Sequence, residues 1–131
     1  MRYLLDTGVF LWSLGSVEKL NQAAQELLVR NHDELYLSAV SSWEISIKNS
    51  AGKLELPEPP QRYVPQRMRL LGLRSLPITH SHALAVSELP QHHNDPFDRL
   101  LIAQALSEGL TLMTAEAICR KYPVEILWAG R

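Results

Sequence analysis

A single cysteine, Cys119, is the only thiol in this sequence of 131 residues. One thiol rules out an intramolecular disulfide and any zinc site built from several cysteines, and a small buried hydrophobe is its expected role. Long apolar runs are also missing: none approaches the roughly 20 residues needed to cross a bilayer. Met1-Arg2 leads through Tyr3-Leu4-Leu5 straight to Asp6, too short and too polar a start for a signal peptide. These absences together predict a reducing, cytoplasmic setting with no membrane partner. Neither sign of charge dominates, with a net charge of −1 and a pI near 6.5. Proteins held along a phosphate backbone are usually more basic, so stable, extended nucleic-acid binding is disfavoured. An enzyme that neutralises phosphate locally with metal ions remains compatible. Repeats and low-complexity tracts are absent too, and the proline cluster Leu56-Pro57-Glu58-Pro59-Pro60 reads as a connection between helices. What is left, 46% hydrophobic and 21% charged residues, suits one globular domain spanning residues 1–131.

Within that domain, short strand-like runs alternate with longer helical ones. Tyr3-Leu4-Leu5 is a buried-strand candidate ending at Asp6. Ala23, Ala24, Leu27 and Leu28 recur at helical spacing and predict a helix over 21–30. Leu35-Tyr36-Leu37 reads as a second strand, after which Ser38 is placed to cap a helix running through Trp43 to about Ala51, stopped by Gly52. Helices near 61–71 and 79–88 follow, with Leu76 and Ile78 marking a short strand between them. Asn94-Asp95-Pro96 puts an N-cap residue directly before a proline at the first helical position, so a helix runs from Phe97 to Glu108 and ends at Gly109. A strand over 110–114, a short helix over 115–122 and a last strand over 124–128 complete the chain. Strands alternating with helices argue for an α/β fold with a parallel sheet between helices, and such sheets carry their sites beyond the carboxyl ends of the strands.

That rule gives weight to the positions of the acids. Asp6 follows the first strand, where it projects into the crevice or caps the next helix. Glu44 shares its helix with Val40, Trp43 and Ile47, which puts it on or beside the buried face; its competing role is an ion pair with Lys48, four residues on. Asp98 suits the helix dipole in any first turn, yet it also begins the stripe Leu101, Ile102 and Ala105 that should face the sheet. Glu116 comes just after a strand and is otherwise an ordinary first-turn acid. Asp95 is the N-cap, near enough to Asp98 to support a site from behind. A parallel sheet brings Asp6, Glu44, Asp98 and Glu116 toward one edge. Carboxylates so crowded repel unless cations sit among them, and hard oxygen ligands suit Mg²⁺ or Mn²⁺.

These segments resemble a known family. Leu4-Leu5-Asp6-Thr7 looks like the opening strand and first acid of PIN domains, and Ser41-Ser42-Trp43-Glu44-Ile45, followed by Lys48 and Gly52-Lys53-Leu54, is similar to the second-acid helix of VapC-type toxins. The most specific match runs His93-Asn94-Asp95-Pro96-Phe97-Asp98-Arg99-Leu100-Leu101-Ile102-Ala103-Gln104-Ala105 and carries the third acid. Leu112-Met113-Thr114-Ala115-Glu116 and Val124-Glu125-Ile126-Leu127-Trp128 resemble the fourth-acid segment and the last strand. The resemblance implies a three-layer α/β/α PIN-like fold around a mostly parallel sheet of four or five strands. It also implies an endoribonuclease toxin that cuts RNA with Mg²⁺ (or Mn²⁺) and leaves a 3′-hydroxyl and a 5′-phosphate. Asp6, Glu44 and Asp98 would hold the metal, Glu116 would help directly or through water, and Thr114 would orient a carboxylate or water. Implied partners are the RNA, a cognate antitoxin laid across the active-site groove, and a second copy of the chain. Homodimers, or heterotetramers and larger assemblies with antitoxin, are expected, with DNA reached only through the antitoxin. Two positions depart from the family pattern. Glu116 stands where aspartate is usual, and Gly8 replaces a larger polar residue after the Asp-Thr pair.

Other features carry less. Arg62, Arg67, Arg69 and Arg74 fall in an acid-free stretch, either touching RNA or an acidic partner or forming the solvated face of a helix whose Tyr63, Val64, Met68 and Leu71 turn inward. His80 with His82, and His92 with His93, lack the spacing of a paired ligand set on a helix. The first two are expected at a helix start, and His93, close to Asp95, is placed near the site but given no catalytic role. Trp12, Trp43 and Trp128 are expected in core or interface packing rather than as stacking platforms for bases. Two alternatives to the enzyme are a catalytically inactive PIN-like binding module and a receiver-type phosphoacceptor domain. The receiver reading needs an acid pair after the first strand, where Asp6 stands alone.

Overall fold

The first strand, β1 (Arg2–Leu5), is buried on both faces. Tyr3 and Leu5 enter one apolar cluster and Leu4 the other, so helices must cover both sides of the sheet. The computed structural model describes residues 1–30 and 34–131. After β1 come α1 (Thr7–Gly15), α2 (Gln22–Arg30), β2 (Glu34–Ser38), α3 (Ala39–Ser50), α4 (Pro60–Leu71), β3 (Arg74–Leu76), α5 (His80–Ala85), α6 (Pro96–Glu108), β4 (Thr111–Thr114) and β5 (Ile126–Trp128). The described residues form a five-stranded sheet in the order β3-β2-β1-β4-β5, with every neighbouring pair parallel. Val9, Phe10, Ala24, Leu27, Leu28 and Val64 from α1, α2 and α4 pack with Tyr3, Leu35 and Met113 on one side. On the other, Leu101, Ile102 and Ala105 of α6 pack with Leu4 and Leu112. The fold is therefore the expected three-layer α/β/α arrangement. No helix among the described residues is long and apolar enough to cross a membrane.

Topology sets where a ligand can lie. The chain moves outward from β1 through β2 to β3, then starts again on the other side of β1 with β4 and β5. The direction reverses between β1 and β4, and the carboxyl ends of those two strands flank the crevice where such sheets bind ligands. Local signals hold the surrounding helices in place. Ser38 accepts the Val40 N–H at 2.9 Å to start α3, and Asp95 caps α6 immediately before Pro96. Gly109 ends α6 in the left-handed conformation, φ 66°, which a side chain would strain.

Several elements differ from the sequence-based expectation. The helix expected over 79–88 is the short α5 followed by a 3₁₀ turn at Val86–Glu88, and the one expected over 115–122 is a 3₁₀ turn at Ala117–Lys121. Pro90 and Pro123 close these two segments and prevent either from continuing as a regular helix. The third strand lies at Arg74–Leu76 with Ile78 outside it, because its register is set by pairing Tyr36 with Arg74 and Ser38 with Leu76. Along α3, Trp43 and Ile47 turn outward, 52% and 43% exposed, and the buried arc is Val40, Ser41, Glu44 and Ile45. Polar side chains displace apolar ones from that inner arc, so Trp43 is not a core residue; it packs edge-on against Phe97, with ring centroids 5.1 Å apart. Trp12 packs partly buried against the core, and Trp128 lies beneath the Arg120 guanidinium. In the arginine-bearing stretch Tyr63 and Val64 are buried, Arg67 lies over the Tyr63 ring and Arg74 pairs with Glu34 at 3.6 Å.

Candidate active site

Asp6 leaves β1 and caps α1. One carboxylate oxygen accepts the Val9 N–H at 2.7 Å, while the other accepts the hydroxyl of Thr114 at the end of β4. The same residue thus fixes a helix start and bridges the two strands at the reversal point. Thr114, fully buried, also accepts the Glu116 N–H at 3.0 Å, which ties the start of the next segment to the same hydroxyl. From the opposite side, Asp98 projects off the first turn of α6. The Asp95 carboxylate, which accepts the Phe97 and Asp98 N–H groups at 2.9 and 3.1 Å, sets the start of that turn.

Electrostatics show that these acids share one neighbourhood. Burial is the main cause that pushes the Asp6 carboxyl up to about 6; the Thr114 and Val9 hydrogen bonds oppose it, and the charges of Asp98 and Glu116 add to it. Asp98 is likewise pushed up to about 6 by burial first and then by Asp95, with a His93 hydrogen bond acting against the shift and Glu116 adding to it. Asp6, Asp98 and Glu116 therefore converge, with Asp95 behind Asp98 and Glu116 on the exposed rim. Glu44, 6% exposed, is held by Lys48 at 2.5 Å, so its ion-pair role is realised together with its inward position. The Glu44 hydrogen bond raises the Lys48 ammonium above its ordinary value, and Asp95 and Asp98 contribute to the same shift. Glu44 thereby joins the group through Lys48.

Among the described residues, no three His, Cys, Asp or Glu side chains form a ready-made ligand cage. A fit to Mg²⁺ does not require one, because that ion is usually held by one or two carboxylates, several waters and substrate phosphates. The donor chemistry matches: Asp6 and Asp98 are hard oxygen groups whose ionisation is opposed by burial and by neighbouring carboxylates, and a divalent cation would relieve both. Softer ligation does not fit. Burial, with Asp98 next, pushes the Cys119 thiol up to about 12, so it is no thiolate.

One neighbour, expected near the site but given no role there, makes a direct contact. His93 lies 3.3 Å from Asp98 through Nε2 and 2.8 Å from the Tyr122 hydroxyl through Nδ1. Its closeness to Asp95 in the sequence was the only available signal, since Tyr122 is 29 positions away.

The PIN domain family pattern matches residues 3–124, nearly the whole chain. This chain belongs to the PIN domain family. The PIN domain is 29% identical over 120 residues to Ribonuclease VapC22 of Mycobacterium tuberculosis, covering 91% of this chain and 90% of that protein. It is 50% identical to Ribonuclease VapC16 of the same organism over a shorter stretch of 54 residues, 41% of this chain and 37% of that protein. Its fold matches VapBC2 from Rickettsia felis, solved bound to a DNA fragment from their promoter, with a TM-score of 0.72 at 17% identity over 98% of this chain and 99% of that one. FitAcB from Neisseria gonorrhoeae matches with a TM-score of 0.69 at 21% identity, over 96% of each chain. At such identities the two structures speak for the fold alone.

Proposed function

We propose that this PIN domain is a metal-dependent endoribonuclease and the toxin of a cytoplasmic toxin–antitoxin pair, hydrolysing RNA phosphodiester bonds with Mg²⁺ or Mn²⁺. The observation that carries this reading is the convergence of Asp6, Asp98 and Glu116 at the carboxyl ends of β1 and β4, with both aspartates held near a pKa of 6. The relatives named ribonucleases support the substrate class. Asp6 and Asp98 would hold the cation, with Glu116 acting directly or through water and Glu44 from the far side of Lys48. The chemistry the cation supplies when bound is a more acidic water and relief of charge on the transferring phosphoryl group. The chain's own share is positioning. Thr114 pins one Asp6 oxygen, Asp95 fixes the turn that presents Asp98, and Lys48 places a positive charge beside the acids where an anionic substrate must approach. The proposal extends to an antitoxin partner, through which DNA would be reached. The receiver-type alternative is not favoured, because Asp6 has no second acid beside it at the end of β1.

Incubating structured RNAs with the protein in Mg²⁺, Mn²⁺ or EDTA, beside the variant Asp98→Asn, tests the proposal. Discrete cleavage that needs metal and disappears in the variant is the expected result. Cleavage that survives both EDTA and the substitution contradicts the site. Failure to cleave any RNA, with no Mn²⁺ bound at millimolar concentration, would replace the enzyme by an inactive binding module.

A further inference from the structure

His93 is the end of a hydrogen-bond chain whose direction is fixed from the other end. Arg99 is buried, 7% exposed, and its guanidinium can only donate. It gives hydrogen bonds to the carbonyls of Pro90 at 2.9 Å and Val86 at 3.3 Å, and to the Tyr122 hydroxyl at 3.0 Å. Tyr122 is itself buried and, having accepted from Arg99, has one proton left to give. Its other partner is His93 Nδ1 at 2.8 Å, placed to accept that proton. A neutral imidazole that accepts at Nδ1 carries its proton on Nε2, and Nε2 lies 3.3 Å from Asp98 Oδ2. The Tyr122 ring, edge-on to His93 with centroids 5.5 Å apart, limits rotation of the imidazole.

We propose that His93 is a positioning residue of the carboxylate site: Arg99 and Tyr122 lock it as the Nε2-protonated tautomer, and its N–H orients the Asp98 carboxylate for the divalent cation. This rests on the reading of Asp98 as a cation-holding group. A donor of this kind occupies one Asp98 oxygen and leaves the remaining lone pairs to the crevice. The hydrogen bond also opposes the rise in the Asp98 pKa that burial imposes. Outer-sphere partners of this type change metal affinity on the order of 10- to 100-fold when removed.

Two measurements decide it. Nitrogen-15 NMR of the metal-free protein reads the tautomer directly, without any reaction: the Nε2–H form is expected for the native chain, and a tautomer mixture for Tyr122→Phe. A proton on Nδ1 in the native protein overturns the proposal. Mn²⁺ titration followed by electron paramagnetic resonance then compares the native chain with Tyr122→Phe, His93→Ala and His93→Gln. Binding weakened roughly tenfold in the first two and largely recovered in His93→Gln, whose amide nitrogen can reach Asp98 as Nε2 does, is the expected pattern. Native-like Mn²⁺ binding by folded Tyr122→Phe and His93→Ala overturns the role of His93 while leaving the metal site intact. No Mn²⁺ binding by the native chain overturns the metal reading itself, and the role of His93 with it.

Discussion

Near its start, α6 presents Asp98 to Asp6 and Glu116; further along, the same helix presents Gln104 to Ser38 and His82. The second cluster is complete. Gln104 accepts from Ser38 at 2.5 Å and donates to the Pro77 carbonyl at 3.2 Å, and His82 meets Glu108 at 2.7 Å. Donors there face acceptors, and His82 and Gln104 are almost wholly buried. The first cluster gathers charges of one sign, and its aspartates resist ionisation, first because they are buried and then because their neighbours carry like charge. A buried network that satisfies itself serves the fold. One that leaves like charges together costs stability in the protein alone, and such tuned groups concentrate where chemistry is done. The contrast, inside one helix, separates what holds the molecule together from what the molecule works with.

Breaking the charged cluster has the largest expected effect. Asp98→Asn should lower RNA cleavage on the order of a thousandfold, and because it removes one of the crowded charges it should not destabilise the metal-free protein. Cleavage assays paired with urea unfolding in EDTA check both halves. Changing pH sharpens the comparison next. The folded-state pKa of Asp6, about 6, exceeds its ordinary 3.8, so the folded state holds the proton more tightly. Stability is then full below about pH 4 and declines as pH rises through about 6, by about 3 kcal/mol from Asp6. Unfolding curves of metal-free protein should show this decline, and Asp6→Asn or saturating Mg²⁺ should flatten it. In the satisfied cluster the sign reverses: His82→Ala removes the acceptor of one Gln104 amide N–H and of the Thr79 N–H and should cost about 2 kcal/mol of stability, with cleavage per folded molecule unchanged. Smallest is Thr114→Val, which removes the hydroxyl between Asp6 and the Glu116 N–H. A loss of about 1 kcal/mol is expected, together with a several-fold fall in kcat measured at saturating metal.

Much of this division was legible in the sequence. Asp6, Asp98 and Glu116 were readable because strand ends and helix starts are marked locally, by the Tyr3-Leu4-Leu5 run, by Asp95-Pro96 and by Leu112-Met113-Thr114. Strand order, and with it the reversal between β1 and β4, depends on pairings such as Leu5 with Met113 that no local pattern encodes. Trp43 and Ile47 misled because hydrophobic periodicity assumes that the inner face of a helix is apolar, whereas α3 turns Ser41 and Glu44 inward. The nearness of His93 to the site was readable but its role was not, because its orientation is set by Tyr122 and Arg99, contacts that exist only after α6 and the segment beyond β4 have packed.

Crystals equilibrated with Mn²⁺ and measured at the manganese edge would test the central claim most directly. An anomalous peak touching carboxylate oxygens of Asp6 and Asp98, and lost in Asp98→Asn, is the predicted result. A peak at His82 and Glu108, or none at millimolar Mn²⁺, would contradict the assignment of the charged cluster as the working site.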